Sequence, residues 1–307
     1  MADSTPLGVV VMAYGTPATP DDVEAYYTHI RRGSAPTAEQ LAELVARYDA
    51  IGGISPLAER TEAQRIALQR ALDALAPGSC RVVLGQKHAA PFIEDAVAGL
   101  AEAGVDRVVG LVLAPHFSQF SVGQYQARLT EAAEAHGLRA AGIDSWHLEP
   151  SYLGFLTEAV ADALAPLPAR TKVLFTAHSL PERVLVDDPY PDQLHASAAA
   201  VADAAGLDRW AGWSLCWQSA GRTPEPWRGP DILEVIRDLA ATGRAGGVLV
   251  CPQGFVSDHL EVLYDLDIEA ARAAADAGLA FGRTRVLNAD PDVFAALAVR
   301  VLDRAPA

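Results

Sequence analysis

One pattern occurs twice in this chain, and it restricts the fold more than any other feature of the sequence. Residues 91–115 run through a proline, an amphipathic helix, a glycine stop, an apolar strand and a second proline, and residues 230–252 repeat that order. An apolar run without alternation is typical of a parallel strand covered on both faces. Helices that alternate with such strands predict an α/β protein, and the repeat predicts two similar lobes, each with a mostly parallel sheet.

Six apolar runs are predicted as strands, and helical patterns lie between them. The strands are Leu7–Ala13, Val82–Leu84, Val108–Ala114, Lys172–Thr176, Ala211–Trp217 and Gly247–Cys251. The segment Glu149-Pro-Ser151 resembles a domain boundary. We therefore expect an N-terminal α/β lobe over residues 1–150 and a C-terminal α/β lobe over residues 151–307, each close to the usual domain size.

The charge of the chain limits its partners. Its 39 acidic and 24 basic residues give a net charge of −15, which argues against nucleic acid because phosphates would be repelled over most of the surface. Such a surface suits a protein that handles cations, and an anionic ligand would need a local basic patch. The N-terminus has no secretory pattern and no apolar run reaches the about 18 residues of a membrane span, so we expect a cytoplasmic protein without stable membrane insertion.

The segment after the last repeated strand carries a stripe of carboxylates. A Pro-Gln-Gly turn follows Cys251, and Ser257 and Asp258 are predicted to cap a new helix. On that helix Glu261, Asp265 and Glu269 are four residues apart and share one face. A solvated face is the common outcome for such a helix. Here the stripe starts at the carboxyl edge of a predicted parallel sheet, where open α/β folds bind ligands, and this favours a stripe that handles cations.

Other polar side chains follow the predicted strands at the same edge. The strand tips carry Tyr14, Lys87, His88, His116 and His178. His178 alone is as typical of a structural histidine at a strand end as of a ligand, and Tyr14 alone is most typical of a buried core tyrosine. Together with a carboxylate from a second strand tip, however, a neutral imidazole can bind a divalent first-row metal. Because such a site offers few protein ligands, it would hold a metal transiently.

Basic and hydroxylic residues of the first 125 positions have two interpretations. Arg31, Arg32 and Arg47 could simply complement helix dipoles. With Tyr48, Ser55 and Tyr125 they could instead form the patch that an anionic ligand requires.

Seven motifs in order along the whole chain resemble the ferrochelatase family. They are Met12-Ala-Tyr14-Gly-Thr-Pro, Tyr27-Thr-His-Ile-Arg31-Arg-Gly, Arg47-Tyr-x-x-Ile-Gly-Gly-Ile-Ser-Pro-Leu57, Ala114-Pro-His-Phe-Ser118, Ala177-His-Ser-Leu-Pro181, Asp188-Pro-Tyr-Pro-Asp-Gln-Leu194 and Gly254-Phe-Val-Ser-Asp-His-Leu-Glu261. The resemblance implies a chelatase-like fold of two Rossmann-like lobes with a porphyrin cleft between them. It also implies that the last helix, about 291–302, packs on the first lobe.

The resemblance assigns roles to residues at matching positions. It implies that His178 and Glu261 are the catalytic pair and bind the iron. It implies that Tyr14 lies near or ligates iron on the opposite porphyrin face, axial to the product iron. The porphyrin-binding residues that it implies are Tyr14, Arg31, Arg47, Tyr48, Ser55 and Tyr125.

The implied reaction is the insertion of Fe²⁺ into a porphyrin with release of two protons, a nitrogen–metal bond-forming (lyase) step of haem biosynthesis. The tyrosine of the first motif resembles the enzymes that use coproporphyrin III, so the expected product is Fe-coproporphyrin III (coproheme). No cofactor beyond the substrate Fe²⁺ is expected. We expect no iron–sulfur cluster, since the extra C-terminal cysteines of some family members are missing. Cys80, Cys216 and Cys251 are far apart and fit small buried hydrophobes.

Three alternatives stay open at this point. The same cleft could serve a porphyrin or haem carrier, an enzyme that prefers protoporphyrin, or a cobalt chelatase of related fold. We further expect a monomer that makes transient contact with the next haem-pathway enzyme.

Overall fold

The fold is that of a computed structural model, which describes residues 5–209, 211–221 and 223–307. Two four-stranded parallel sheets form its centre. The first comprises β1 (Leu7–Ala13), β2 (Cys80–Gln86), β3 (Arg107–Val112) and β4 (Arg139–Ile143). The second comprises β5 (Thr171–His178), β6 (Trp213–Gln218), β7 (Gly247–Cys251) and β8 (Ala280–Arg283).

Helices cover the faces of both sheets. The helices of the first half are α1 (Val23–Ile30), α2 (Ala38–Ala50), α3 (Leu57–Leu75), α4 (Ile93–Glu102) and α5 (Val122–Ala135), of which α3, α4 and α5 pack on strands. Those of the second half are α6 (Pro150–Leu164), α7 (Tyr190–Ala204), α8 (Ile232–Ala241), α9 (Leu260–Leu263), a π-helical segment (Asp265–Ala270), α10 (Ala271–Asp276) and α11 (Pro291–Asp303). Within the described residues no helix is both long and apolar enough to cross a bilayer.

The two sheets have the same topology, which confirms the predicted pair of similar α/β lobes. The strand order is β2-β1-β3-β4 in one and β6-β5-β7-β8 in the other, and all neighbours are parallel. The repeated prolines have matching places. The backbone N–H of Gln86 donates to the carbonyl of Pro91 (2.8 Å), and that of Trp217 donates to the carbonyl of Pro230 (3.0 Å). In each lobe this contact sets the start of the following helix, α4 or α8.

The strands are buried because their sequences are apolar on both faces. Every residue of β1 and of β7 is buried, as the continuous apolar runs predict. The edge strands β4, of five residues, and β8, of four residues, are only partly buried. No strand was predicted at either position. Each holds Ala and Gly, which carry little β propensity, and a single strong β former, Ile143 or Phe281.

The lobes share one hydrophobic core. A single cluster of buried side chains includes Val9 and Leu68 of the first lobe together with Phe175 and Leu249 of the second. Helix α11 follows the second sheet and packs against α3 and α6. A shared core of this kind fixes the position of one lobe on the other and therefore the width of the cleft between them.

Candidate active site

The carboxyl ends of β1, β2, β5 and β7 open into one cleft between the lobes. Tyr14 follows β1, Lys87 and His88 follow β2, His178 ends β5, and residues 252–261 follow β7. Because ligands of open α/β sheets bind beyond the carboxyl ends of strands, this cleft is the candidate site.

A histidine and a glutamate of the second lobe face each other in the cleft. The Nε2 atom of His178 lies 3.6 Å from Oε1 of Glu261, and their side chains are 35% and 32% exposed. Gln218 fixes this arrangement, since its side-chain amide donates to the backbone carbonyl of Glu261 (3.1 Å) and accepts from Thr176 Oγ1 (2.8 Å). The pair is thus held by the adjacent strand yet open to a ligand.

A second histidine flanks the same carboxylate. His259 Nε2 lies 3.6 Å from Glu261 Oε2, and His259 Nδ1 lies 3.0 Å from the carbonyl oxygen of Ser257. A carbonyl only accepts hydrogen bonds, so Nδ1 donates to Ser257, and Nε2 faces the glutamate. No role was assigned to His259 from the sequence. Its position two residues before Glu261 in the last motif is the signal that could have identified it.

The two groups of the pair perturb each other. Burial lowers the pKa of His178, but the Glu261 carboxylate outweighs that effect and raises the pKa to about 9. Burial raises the pKa of Glu261, but His178 and then His259 outweigh it and hold this pKa well below its usual range. At neutral pH the free site is therefore an imidazolium–carboxylate pair. The ordinary histidine pKa of about 6.5 therefore does not apply to His178.

The helix that carries Glu261 starts differently from the prediction. Its N-cap residue is His259, without a side-chain cap, and the predicted caps at Ser257 and Asp258 are wrong. Ser257 Oγ donates to Gln64 Oε1 instead (3.1 Å). The Asp258 carboxylate accepts from Asn288 Nδ2 (2.9 Å). The side-chain oxygens that were predicted to cap the helix instead form hydrogen bonds with residues distant in the sequence.

The predicted carboxylate stripe divides into parts with different surroundings. Residues 265–270 are π-helical, Asp265 is buried, and Glu269 is exposed. Asp265 pairs with Arg47 of α2 and accepts a hydrogen bond from Ser219. Burial raises the pKa of Asp265 to about 6, and Arg47 opposes the shift without reversing it. The stripe is thus not a solvated face, because its central carboxylate forms an ion pair between the lobes.

The first lobe contributes phenols to the cleft. Tyr14 is 43% exposed, and its ring centroid lies 4.5 Å from that of His88. Burial and then the nearby Glu261 raise the pKa of Tyr14, so its phenol keeps its proton at neutral pH. Tyr48 and Tyr125 are buried, and burial raises the pKa of each.

The first lobe also contributes a cation. Lys87 Nζ donates to Gln124 Oε1 (2.7 Å) and lies 5.1 Å from the centroid of the Tyr125 ring. Burial, then Arg128 and Arg32, lower the pKa of Lys87 to about 8. Lys87 was noted at a strand tip but was not included among the predicted porphyrin-binding residues.

Of the remaining predicted residues, one contacts the second lobe and two make only local contacts in the structure. Arg47 faces the second lobe through Asp265 and lies 4.6 Å from the Tyr264 ring centroid. Arg31 donates to the backbone carbonyl of Ser34 (3.1 Å). Ser55 is buried, and its hydroxyl accepts from the backbone N–H of Leu57 (3.3 Å) at the start of α3. Tyr14, His178 and Glu261 come together in one cleft, whereas the contacts of Arg31 and Ser55 are local.

Solved structures support the fold. The sirohydrochlorin chelatase SirB from Bacillus subtilis subspecies spizizenii, in complex with cobalt, is similar with a TM-score of 0.57 and 9% identity, covering 97% of this chain and 95% of that one. CbiX, described as the terminal enzyme of siroheme biosynthesis in denitrifying bacteria, has a TM-score of 0.55 and 16% identity, covering 97% and 98%. At this level of identity the likeness concerns the fold alone.

Sequence relatives are closer. The chain is 45% identical to the coproporphyrin III ferrochelatase of Halalkalibacterium halodurans over 95% of both chains, and 44% identical to that of Bacillus subtilis over 97% of both. It is 43% identical to a ferrochelatase of Herpetosiphon aurantiacus over 94% of this chain and 95% of the relative. The ferrochelatase family model matches residues 6–305. With the paired imidazole and carboxylate in an interlobe cleft, these matches show that the chain belongs to the ferrochelatase family.

Proposed function

We propose that this protein is a coproporphyrin III ferrochelatase, which inserts Fe²⁺ into coproporphyrin III in the cytoplasm and releases coproheme and two protons. The observation that carries the proposal is the His178–Glu261 pair, 3.6 Å apart at the edge of the cleft that also holds Tyr14. The names of relatives that are 44–45% identical over almost the full length support the choice of porphyrin.

The porphyrin binds between the lobes, with Tyr14 on one face and His178 on the other. Coproporphyrin III has four propionates, so its binding requires cations. Arg31 and Arg47, with hydroxyl donors of Tyr48, Ser55 and Tyr125, are the proposed partners of these groups, and Lys87 adds a charge from β2. Tyr14 remains a neutral phenol in the free protein and becomes the axial neighbour of the product iron.

Iron first replaces a proton in the second lobe. His178 is protonated in the free site because its pKa is about 9, so Fe²⁺ must displace that proton to bind Nε2. Glu261 supplies a negatively charged oxygen beside it, and the two ligands replace water from the ion's hydration shell.

Transfer to the porphyrin regenerates the free pair. As iron moves onto the ring nitrogens, the His178 imidazole is released next to a pyrrole N–H and accepts its proton. The raised pKa favours this step, since a stronger base accepts a proton more readily. The second pyrrole proton leaves to solvent. Peripheral contacts that bend the ring help by turning the nitrogen lone pairs toward the iron.

The segment that carries Glu261, Asp265 and Glu269 connects the site with solvent. Asp265 is buried next to Arg47, and Glu269 lies further along the same helix on the surface. We assign these two carboxylates to guiding iron inward or protons outward.

We also propose that the chain acts as a monomer without an iron–sulfur cluster and passes coproheme to the next haem-pathway enzyme by transient contact. The three cysteines are buried and unbridged and lie in β2, β6 and β7. Light scattering with iron analysis of the purified protein tests both points, and a dimer or stoichiometric resident iron would contradict them.

The decisive test of the proposed function is a comparison of substrates. Initial rates of anaerobic Fe²⁺ insertion are measured with coproporphyrin III and with protoporphyrin IX under the same conditions. We expect multiple turnovers and a clearly higher kcat/KM with coproporphyrin III. Equal or higher efficiency with protoporphyrin IX would contradict the substrate assignment, and tight binding without turnover would indicate a carrier.

A further inference from the structure

A buried glutamine of the first lobe is bonded to the segment of the second lobe that leads into the iron site. Gln64 lies on α3 and has an exposed fraction of 0%. Its side-chain nitrogen donates to the carbonyl oxygens of Val256 (3.0 Å) and Asn288 (3.0 Å). Its side-chain oxygen accepts from Ser257 Oγ (3.1 Å). Both amide hydrogens and one acceptor site of Gln64 are thus used across the lobe boundary.

The segment held in this way connects directly to the metal-binding pair. The carbonyl of Ser257 accepts the hydrogen bond of His259 Nδ1 (3.0 Å). His259 Nε2 then lies 3.6 Å from Glu261, and Glu261 lies 3.6 Å from His178. A continuous series of contacts therefore runs from α3 of the first lobe to the iron pair of the second.

Asn288 holds the same segment from the other side. Its side chain accepts from the backbone N–H of Asp258 (3.1 Å) and donates to the Asp258 carboxylate (2.9 Å). Its backbone N–H donates to the carbonyl of Val256 (2.8 Å). Gln64 and Asn288 together leave residues 256–258 little freedom to move.

We propose that Gln64 is a positioning residue, which sets the place of Glu261 and His259 relative to His178 and to the porphyrin held by the first lobe. This inference rests on the proposed function and deepens it. The physical reason is pre-organisation, because a ligand set held rigidly at the reacting geometry lowers the barrier to transfer. A buried amide is suited to this task, since the loss of one partner leaves the others unsatisfied.

The test uses a matched pair of glutamines on one helix. Gln69 also lies on α3, accepts from the backbone N–H of Val82 (2.9 Å) and donates to the carbonyl of Cys80 (3.1 Å), both within the first lobe. Gln64→Leu and Gln69→Leu each remove side-chain hydrogen bonds to the backbone while keeping the side-chain volume similar. Only the first of them cuts a connection to the iron pair.

Kinetics distinguish positioning from general stability. In Gln64→Leu we expect kcat/KM for Fe²⁺ to fall by about 10- to 100-fold, the effect of a misplacement near 1 Å, with KM for coproporphyrin III unchanged. Gln69→Leu should lower Tm yet leave both KM values and kcat at the wild-type level. If Gln64→Leu lowers Tm and changes kinetics no more than Gln69→Leu, or raises both KM values equally, the inference is wrong.

A milder variant covers the case in which Gln64→Leu does not fold. Ser257→Ala removes only the hydroxyl that donates to Gln64, and it should show the same selective loss for Fe²⁺ with a smaller amplitude. Wild-type kinetics in Ser257→Ala would contradict the inference. A wild-type protein that inserts no iron would instead contradict the proposed function itself, so the two failures can be told apart.

Discussion

The two lobes have the same scaffold but different side chains at their strand tips. Both sheets have the same parallel order, and both place a proline carbonyl at the same point before a helix. The first lobe ends its strands with a phenol and a cation, Tyr14 and Lys87, whereas the second ends them with His178 and, after β7, Glu261.

Because of this difference, each lobe suits one of two substrates with different binding requirements. A porphyrin with several propionates requires cations and flat neutral surfaces, and a ferrous ion requires imidazole and carboxylate ligands. One folding pattern used twice therefore brings two incompatible chemistries to the same cleft. The shared core and the Arg47–Asp265 ion pair keep the two surfaces at a fixed separation.

The largest expected effect comes from removing the imidazole of the second lobe. His178→Ala should reduce the rate of iron insertion by at least about 10²-fold, because it removes the proposed iron ligand and proton acceptor. Coproporphyrin III binding, followed by porphyrin absorbance, should stay near the wild-type level. His195→Ala serves as the control, since His195 is an exposed residue of α7 in the same lobe. Loss of porphyrin binding in His178→Ala would contradict the assignment of iron to the second lobe and porphyrin to the first.

The ion pair between the lobes should have a moderate effect on stability. Asp265 is 8% exposed and Arg47 is 27% exposed. Because Arg47→Met leaves the buried Asp265 carboxylate without its cation, it should lower the free energy of unfolding by about 1–3 kcal/mol, less than for a fully buried pair. The control is Asp276→Asn, which disrupts the pair with Arg272, where both side chains are over 70% exposed. It should change the free energy of unfolding by less than about 0.5 kcal/mol. Urea denaturation measures both, and equal effects would show that the first pair does not join the lobes.

A smaller effect concerns the pH dependence of porphyrin binding. Burial and neighbouring arginines lower the pKa of Lys87 to about 8, so its charge is present below that pH and is lost above it. Affinity for coproporphyrin III should therefore weaken about 3- to 10-fold as the pH rises through this value, the loss of one charge-assisted contact. In Lys87→Arg the decline should disappear, since a guanidinium stays charged. Parallel pH profiles for both proteins would mean that Lys87 does not contact the propionates.

Much of the fold could be predicted because its signals are local. The apolar runs of β1 and β7 and the repeated helix–glycine–strand pattern are visible in the sequence without any tertiary information. The edge strands β4 and β8 could not be predicted, since they are short and depend on pairing with β3 and β7 rather than on their own propensity.

Some features of the candidate site could likewise be predicted from the sequence, and others could not. Motifs predicted His178, Glu261 and Tyr14 as site residues, and the structure brings these three into one cleft. The partner of Arg47 could not be predicted, because Asp265 is 218 positions away in the sequence and reaches it through a π-helical segment. The shift of the His178 pKa was also missed, since it depends on a distance that only the fold sets.

The most direct test of the account is a crossed kinetic measurement with one variant in each lobe. KM for Fe²⁺ and KM for coproporphyrin III are determined for Lys87→Met and for Glu261→Asp, which keeps the charge but shortens the side chain. We expect that Lys87→Met raises only KM for coproporphyrin III, while Glu261→Asp lowers kcat and raises only KM for Fe²⁺. If either variant shifts both KM values to the same extent, the assignment of one substrate to each lobe is wrong.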